Sequence, residues 1–149
     1  MIIYSSAFEN QGSIPVKYTC DGENISPPLK ISGVPAEAKS LVLIVDDPDS
    51  PAGNWIHWTI WNINPETAAI EEGLVPTGAA EGLTSFGDIG YGGPCPSGGE
   101  HRYFFKLFAL DNVLEVKPGA NDQELMQMMN GHIMTTVELI GYYKRVFSR

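Results

Sequence analysis

Residues 41–62, LVLIVDDPDSPAGNWIHWTIWN, decide the fold. The run from Leu41 to Val45 is apolar without alternation, the pattern of a strand buried on both faces. It leads into Asp46, Asp47 and Asp49, where Pro48, Pro51 and Gly53 impose an irregular turn. A second apolar run, Trp55 to Ile63, follows with His57 inside it. Two core strands joined in this way bring carboxylates and an imidazole to one end of a sheet. Binding groups collect on loops that a rigid scaffold positions, so this end is the candidate site.

The rest of the composition fits strands better than a helical bundle. The chain has 149 residues, enough for one domain with a single core, and reads as one unit over 1–149. It is 43% hydrophobic and only 18% charged, with 16 glycines and 11 prolines, a balance that favours strands joined by structured loops. The net charge of -9 opposes nucleic-acid binding and docking on anionic membranes. The first residues, MIIYSSAFEN, have neither the basic start nor the apolar core of a secretory signal. No segment approaches the ~20 apolar residues that span a bilayer. The expectation is a soluble, cytoplasmic protein with no integral membrane association. Cys20 and Cys95 are too few for a four-cysteine zinc site or a disulfide framework. Two reduced thiols is the expected state, and one bridge is the alternative.

Working outward, Ile2 to Phe8 reads as a first strand and Gln11 to Tyr18 as a half-exposed edge strand. Turn residues fill Cys20 to Pro35, with a short strand at Leu29 to Ile31. Val75 to Gly99 is glycine-rich and lacks apolar periodicity, which reads as an ordered, functional loop. His101 to Leu110 is an aromatic core strand. Asn121 caps a helix over Asp122 to Asn130, with Glu124 completing a capping box, Leu125, Met128 and Met129 at helical spacing, and Gly131 as the stop. Ile133 to Phe147 reads as a long closing strand. The expected fold is mostly β, a two-sheet sandwich with one clear short helix near the C-terminus.

The chemistry-bearing residues are Asp47 and Asp49 on the proline-constrained turn, and His57 and His101 at strand ends. Trp55, Trp58, Trp61, Tyr91 and Tyr103 are candidates to wall such a pocket. No H-x-H or H-E-x-x-H pattern supports a metal, and no cofactor motif is present. Ser85, Ser97 and Cys95 lie on loops near the histidines, but no G-x-S-x-G elbow or G-K-[ST] phosphate loop occurs. A tight turn at Ser50-Pro51 suits a cis bond.

Three motifs, D-P-D-S-P (Asp47 to Pro51), N-W-I-H-W (Asn54 to Trp58) and G-Y-G-G-P-C-P-S-G-G-E-H-R-Y (Gly90 to Tyr103), resemble the phosphatidylethanolamine-binding protein family, also called Raf kinase inhibitor proteins. C-D-G-E-N-I-S-P-P-L (Cys20 to Leu29) resembles its bacterial and archaeal branch. The resemblance implies an antiparallel Greek-key β-sandwich and an anion pocket for phosphate or phosphorylated head groups. It implies that Asp47, Asp49, His57, Gly93, Pro94, His101 and Tyr103 form that pocket, with Trp55 near its mouth. It further implies a homodimer. The expected function is a non-enzymatic binding module for an anionic small molecule or phospholipid head group, with regulation of a kinase or other partner. The alternatives are a protease or kinase inhibitor acting through a loop surface, and a hydrolase using a His/Asp acid–base pair.

Overall fold

The computed structural model describes residues 1–145. Nine strands and one α-helix follow the chain in the order β1 (Ile2–Tyr4), β2 (Gly12–Ser13), β3 (Leu29–Ser32), β4 (Ser40–Asp47), β5 (Trp55–Ile63), β6 (Ala69–Ile70), β7 (Ala80–Glu81), β8 (His101–Leu110), α1 (Asp122–Met129) and β9 (Ile133–Tyr143). They form a three-stranded sheet, β1-β3-β6, and a six-stranded sheet, β2-β9-β8-β4-β5-β7. The order β8-β4-β5-β7 is a Greek key, because β8 returns to lie beside β4 after two antiparallel neighbours have followed it. One pairing departs from the antiparallel expectation: β2 runs parallel to β9, with Gly12 opposite Gly141.

All eight residues of β4 are buried, and the two core clusters explain why its sequence does not alternate. Leu41, Leu43 and Val45 pack with Ile3, Ile31, Ile70, Phe105 and Leu107 between the two sheets. Val42 and Ile44 point the other way, into a second cluster with Trp61, Phe108, Leu125 and Met129. Helix α1 therefore covers the outer face of the large sheet. Each fully buried Leu, Ile or Val side chain contributes on the order of 1.5–3 kcal/mol.

The helix spans Asp122–Met129, one residue short of the expected end, and of the expected capping box the Asn121 half is found among the described residues. Asn121 Oδ1 accepts the Glu124 amide at 2.9 Å, Leu125 and Met129 are buried, and Gly131 ends the turn at φ +83°. Met128 is exposed, so it lies off the apolar stripe. Trp58 and Trp61 are core residues, one on each face of the sheet.

Four local expectations are corrected. The first strand stops at Tyr4, because the Ser5 hydroxyl turns the chain by accepting the Ala7 amide at 3.0 Å and donating to the Pro28 carbonyl at 2.6 Å. The edge strand over Gln11 to Tyr18 is only Gly12–Ser13; Pro15 then opens a 3-10 turn over Val16–Tyr18, and Thr19 closes it by donating its hydroxyl to the Val16 carbonyl. The closing strand is observed over Ile133–Tyr143, while Val146 and Phe147 fall outside the described residues. The Ser50-Pro51 bond is trans, as is every described peptide bond.

The cysteine expectation is also overturned. Cys20 and Cys95 form a disulfide, their Cα atoms 5.4 Å apart across 75 residues of sequence. Sequence spacing carries no sign of it, because the fold alone lays the loop after Gly93 against the turn at Cys20. Cys20 N–H donates to the Pro94 carbonyl at 3.1 Å, and Gly93 N–H to Asn24 Oδ1 at 2.8 Å. A Cβ on Gly93 would collide with the Tyr18 carbonyl and Asn24, so glycine is required for that approach.

Candidate functional site

The inner face of the large sheet alternates along β4, so Val45 and Asp47 face the sheet interface while Asp46 faces away. Asp46 Oδ2 accepts from Lys106 Nζ at 2.8 Å and Asn54 Nδ2 at 3.1 Å on that other side. Of the three neighbouring acids, only Asp47 lines the cavity at this end of the sheet.

His57 reaches the same cavity through an irregularity in the ladder. Val45 pairs with Trp58 and Asp46 with Ile56, which leaves His57 as an extra residue on β5. A bulge of this kind re-aims a side chain that strict alternation would place otherwise. The glycine-rich loop then fixes the ring. Gly92 N–H donates to the His57 carbonyl at 2.9 Å, and His57 Nδ1 sits 2.6 Å from the Gly92 carbonyl. A carbonyl only accepts, so Nδ1 carries the proton and donates.

His101 is fixed by a carboxylate instead. Its Nδ1 lies 2.7 Å from Asp47 Oδ2, with both side chains buried. Asp47 Oδ1 accepts the Asp49 amide at 2.8 Å, so both carboxylate oxygens are engaged. Tyr103 lies between the imidazoles, edge-on to His57 with centroids 5.2 Å apart and stacked on His101 at 6.4 Å. Its hydroxyl is buried close to the Asp47 carboxylate and makes no hydrogen bond of good geometry to a described residue. Burial, with the nearby Asp47 carboxylate adding to it, pushes the phenol far above its ordinary range.

Together these groups enclose a cavity of about 190 Å³ lined by Asp47, Trp55, His57, His101 and Tyr103. Ser50 and Pro51 from the turn after β4, and Phe86, Cys95, Pro96 and Ser97 from the long loop, close it. Phe86 stands edge-on to both Trp55 and His57, with centroids 5.6 and 5.2 Å apart. This half-exposed ring was not a sequence candidate; its one signal was an isolated aromatic in a glycine-rich loop.

Six sequence candidates lie outside that lining: Trp58, Trp61 and Tyr91 among the proposed walls, and Asp49, Gly93 and Pro94 among the proposed pocket residues. Asp49 is bound by Arg102: the guanidinium donates from Nε at 2.9 Å and Nη2 at 2.8 Å, and the Arg102 amide donates at 2.9 Å. This pairing lowers the Asp49 carboxyl to about 2. Asp49 thus clamps the turn onto β8. Gly93 and Pro94 are buried against residues 18–24 and hold the loop rather than face the cavity.

The electrostatics favour a site that charges on demand. Burial lowers the His57 pKa, which keeps the empty ring neutral at pH 7. Nε2 of both rings has no partner among the described residues. Each Nε2 accepts when its ring is neutral and donates when it is protonated. Ser50 and Ser97 line the cavity, but neither hydroxyl hydrogen-bonds to a ring nitrogen. No grouping of three His, Cys, Asp or Glu side chains suited to a metal occurs among the described residues. No described helix is long and apolar enough to cross a membrane.

Comparison with known proteins covers nearly the whole described chain. The family model described as phosphatidylethanolamine-binding protein matches residues 4–144. A UPF0098 protein of Methanothermobacter thermautotrophicus is 51% identical over 97% of this chain and 99% of its own. A UPF0098 protein of Chlamydia trachomatis is 47% identical over 97% of this chain and 99% of its own. Among solved structures, a phosphatidylethanolamine-binding protein homolog, CT736, from Chlamydia trachomatis superimposes with a TM-score of 0.92 at 47% identity, covering 96% of each chain. Escherichia coli YbcL, described as a member of the mammalian family, gives 0.90 at 31% identity over 96% of this chain and 97% of its own.

Proposed function

This chain belongs to the phosphatidylethanolamine-binding protein family, and from that premise we propose that it is a non-enzymatic module whose cavity binds phosphate or a phosphorylated head group. The observation that carries this reading is the pair of buried imidazoles around one cavity, each with Nδ1 engaged and Nε2 without a partner among the described residues. Protonated, the two rings offer two N–H donors to phosphate oxygens, and the Tyr103 hydroxyl offers a third. The volume of about 190 Å³ lies below the ~300 Å³ at which drug-sized pockets begin, which suits a head group and not its acyl chains. Asp47 does not repel the ligand outright, because His101 and the Asp49 amide occupy both its oxygens.

The Asp47–His101 pair also has the form of an acid–base dyad, yet among the described residues no hydroxyl hydrogen-bonds to either ring as a nucleophile would, so binding is the better-supported activity. Regulation of a kinase or protease partner belongs to the same proposal and rests on family membership alone. The test is a titration of the histidine ring resonances with phosphorylethanolamine, inorganic phosphate and acetate. Saturable shifts at His57 and His101 with the two phosphates, and none with acetate, are the expected result. The reading is lost if millimolar phosphate moves neither ring.

A further inference from the structure

The wall of the cavity is held unevenly. Upstream of Cys95 the glycine-rich loop is tied to the 18–24 segment by three bonds. Tyr91 donates its hydroxyl to the Tyr18 carbonyl at 2.7 Å, Gly93 its amide to Asn24, and the Pro94 carbonyl accepts from Cys20. Downstream, His101 enters β8 and the Asp47 contact. Between them, no hydrogen bond to or from residues 95–100 is found among the described residues. Yet Cys95, Pro96 and Ser97 line the cavity. Among the described residues, and apart from the packing of buried Pro96, the Cys20–Cys95 bridge is the cross-link that holds this wall in place. The segment beyond it, Ser97 to Glu100, is exposed and contains Gly98 and Gly99, so little else restrains its backbone.

We propose that Cys20–Cys95 is a redox-active pair that latches the ligand cavity: oxidised, it orders the wall; opened by a dithiol reductant, it releases it. Cys95 is an exposed residue and half-buried Cys20 sits behind it, so the bridge is open to attack from solvent. A dithiol thiolate attacks one bridge sulfur, the S–S bond breaks, and a mixed disulfide forms with one cysteine. The second thiol of the reductant then displaces that cysteine. Two protein thiols and one oxidised dithiol result, two electrons and two protons having passed to the protein. Coupling is reciprocal: whatever factor reduction takes from ligand affinity, bound ligand adds to the bridge's resistance to reduction. That the ligand is a phosphate rests on the proposed function; the latch itself does not.

The experiment compares the full chain, air-oxidised and dithiothreitol-reduced, with the Cys20→Ser variant, which leaves Cys95 on the wall. Thiol titration reports the bridge, and backbone relaxation reports order. Expected are no free thiols in the oxidised protein, and order parameters for Ser97 to Glu100 that fall from about 0.85 to below ~0.6 on reduction, while β4 is unchanged. Phosphorylethanolamine affinity falls three- to tenfold in parallel, and Cys20→Ser behaves as the reduced protein under both conditions. Two free thiols after air oxidation, or unchanged order parameters, overturn the latch. Altered order with equal phosphorylethanolamine binding in both states overturns its link to the ligand. Altered order with no binding in either state leaves the latch standing and defeats the phosphate reading.

Discussion

His101 Nδ1 and Asp47 Oδ2 meet at 2.7 Å across 54 residues of sequence, both side chains almost wholly buried. The bond fixes the imidazole tautomer and points the other ring nitrogen away from the carboxylate. Asp47→Ala therefore leaves His101 unanchored, and phosphorylethanolamine affinity should fall about tenfold, the equivalent of one lost hydrogen bond of ~1.4 kcal/mol. Asp47→Asn keeps an acceptor for Nδ1–H while removing the charge, so its affinity should stay within about threefold of wild type at pH 6. Isothermal titration of both variants separates orientation from charge; equal losses would show that the charge alone matters.

Tyr103 offers a sharper test of whether the cavity was built for a ligand. Its hydroxyl is buried beside the Asp47 carboxylate and makes no hydrogen bond of good geometry to a described residue. Tyr103→Phe should change the unfolding free energy by less than ~1 kcal/mol and weaken phosphate binding severalfold. Chemical denaturation with and without phosphate reads both effects. A variant that is less stable and binds normally would mean that the hydroxyl serves the fold.

The pH dependence follows from His57, whose pKa in the folded protein is lowered by burial. The unfolded chain then binds more protons than the folded one as pH falls below the ordinary value near ~6.5, so the empty protein loses stability on acidification and stops losing it below the folded pKa. A bound phosphate favours the protonated ring and reverses this. Affinity should rise between pH 8 and 6, and phosphate should protect against heat more at pH 5.5 than at pH 8. Affinity that rises with pH instead would contradict the assignment of the rings as donors.

Asp49 predicts an effect at acid pH that does not involve the ligand. Arg102 lowers its carboxyl to about 2, so the stability it supplies is complete above about pH 4 and is lost as pH falls towards 2. Asp49→Asn should flatten that part of the acid-unfolding curve while phosphate affinity at neutral pH changes less than twofold. A large loss of affinity would show that the clamp on β8 reaches the cavity.

Much of the architecture was readable because buried strands advertise themselves. Trp55 to Ile63 and His101 to Leu110 have the bounds that their apolar runs suggested, and Asn121 caps the helix that its spacing implied. Local chemistry misled where two local signals competed. Ile14, Val16 and Tyr18 alternate like a strand, but Pro15 and the Thr19 hydroxyl turn the same residues into a 3-10 segment. An alternating pattern reports which side chains seek burial, not which backbone groups find partners.

By itself the sequence determined the mostly-β class, the central strands, the helix, and the joining of Asp47 and His57 by one turn, since each follows from residues near in sequence; Trp55, His101 and Tyr103 entered the expected pocket through the family resemblance. The tertiary structure decided the rest. In a strand buried on both faces, hydropathy cannot say whether Asp46 or Asp47 looks into the cavity, and the β4 register with β5 and β8 settles it. The bulge at His57, the Phe86 wall, the Arg102 clamp on Asp49 and the Cys20–Cys95 bridge join residues that are distant in sequence or out of register with it. Such contacts are properties of how the chain packs, and no local pattern encodes them.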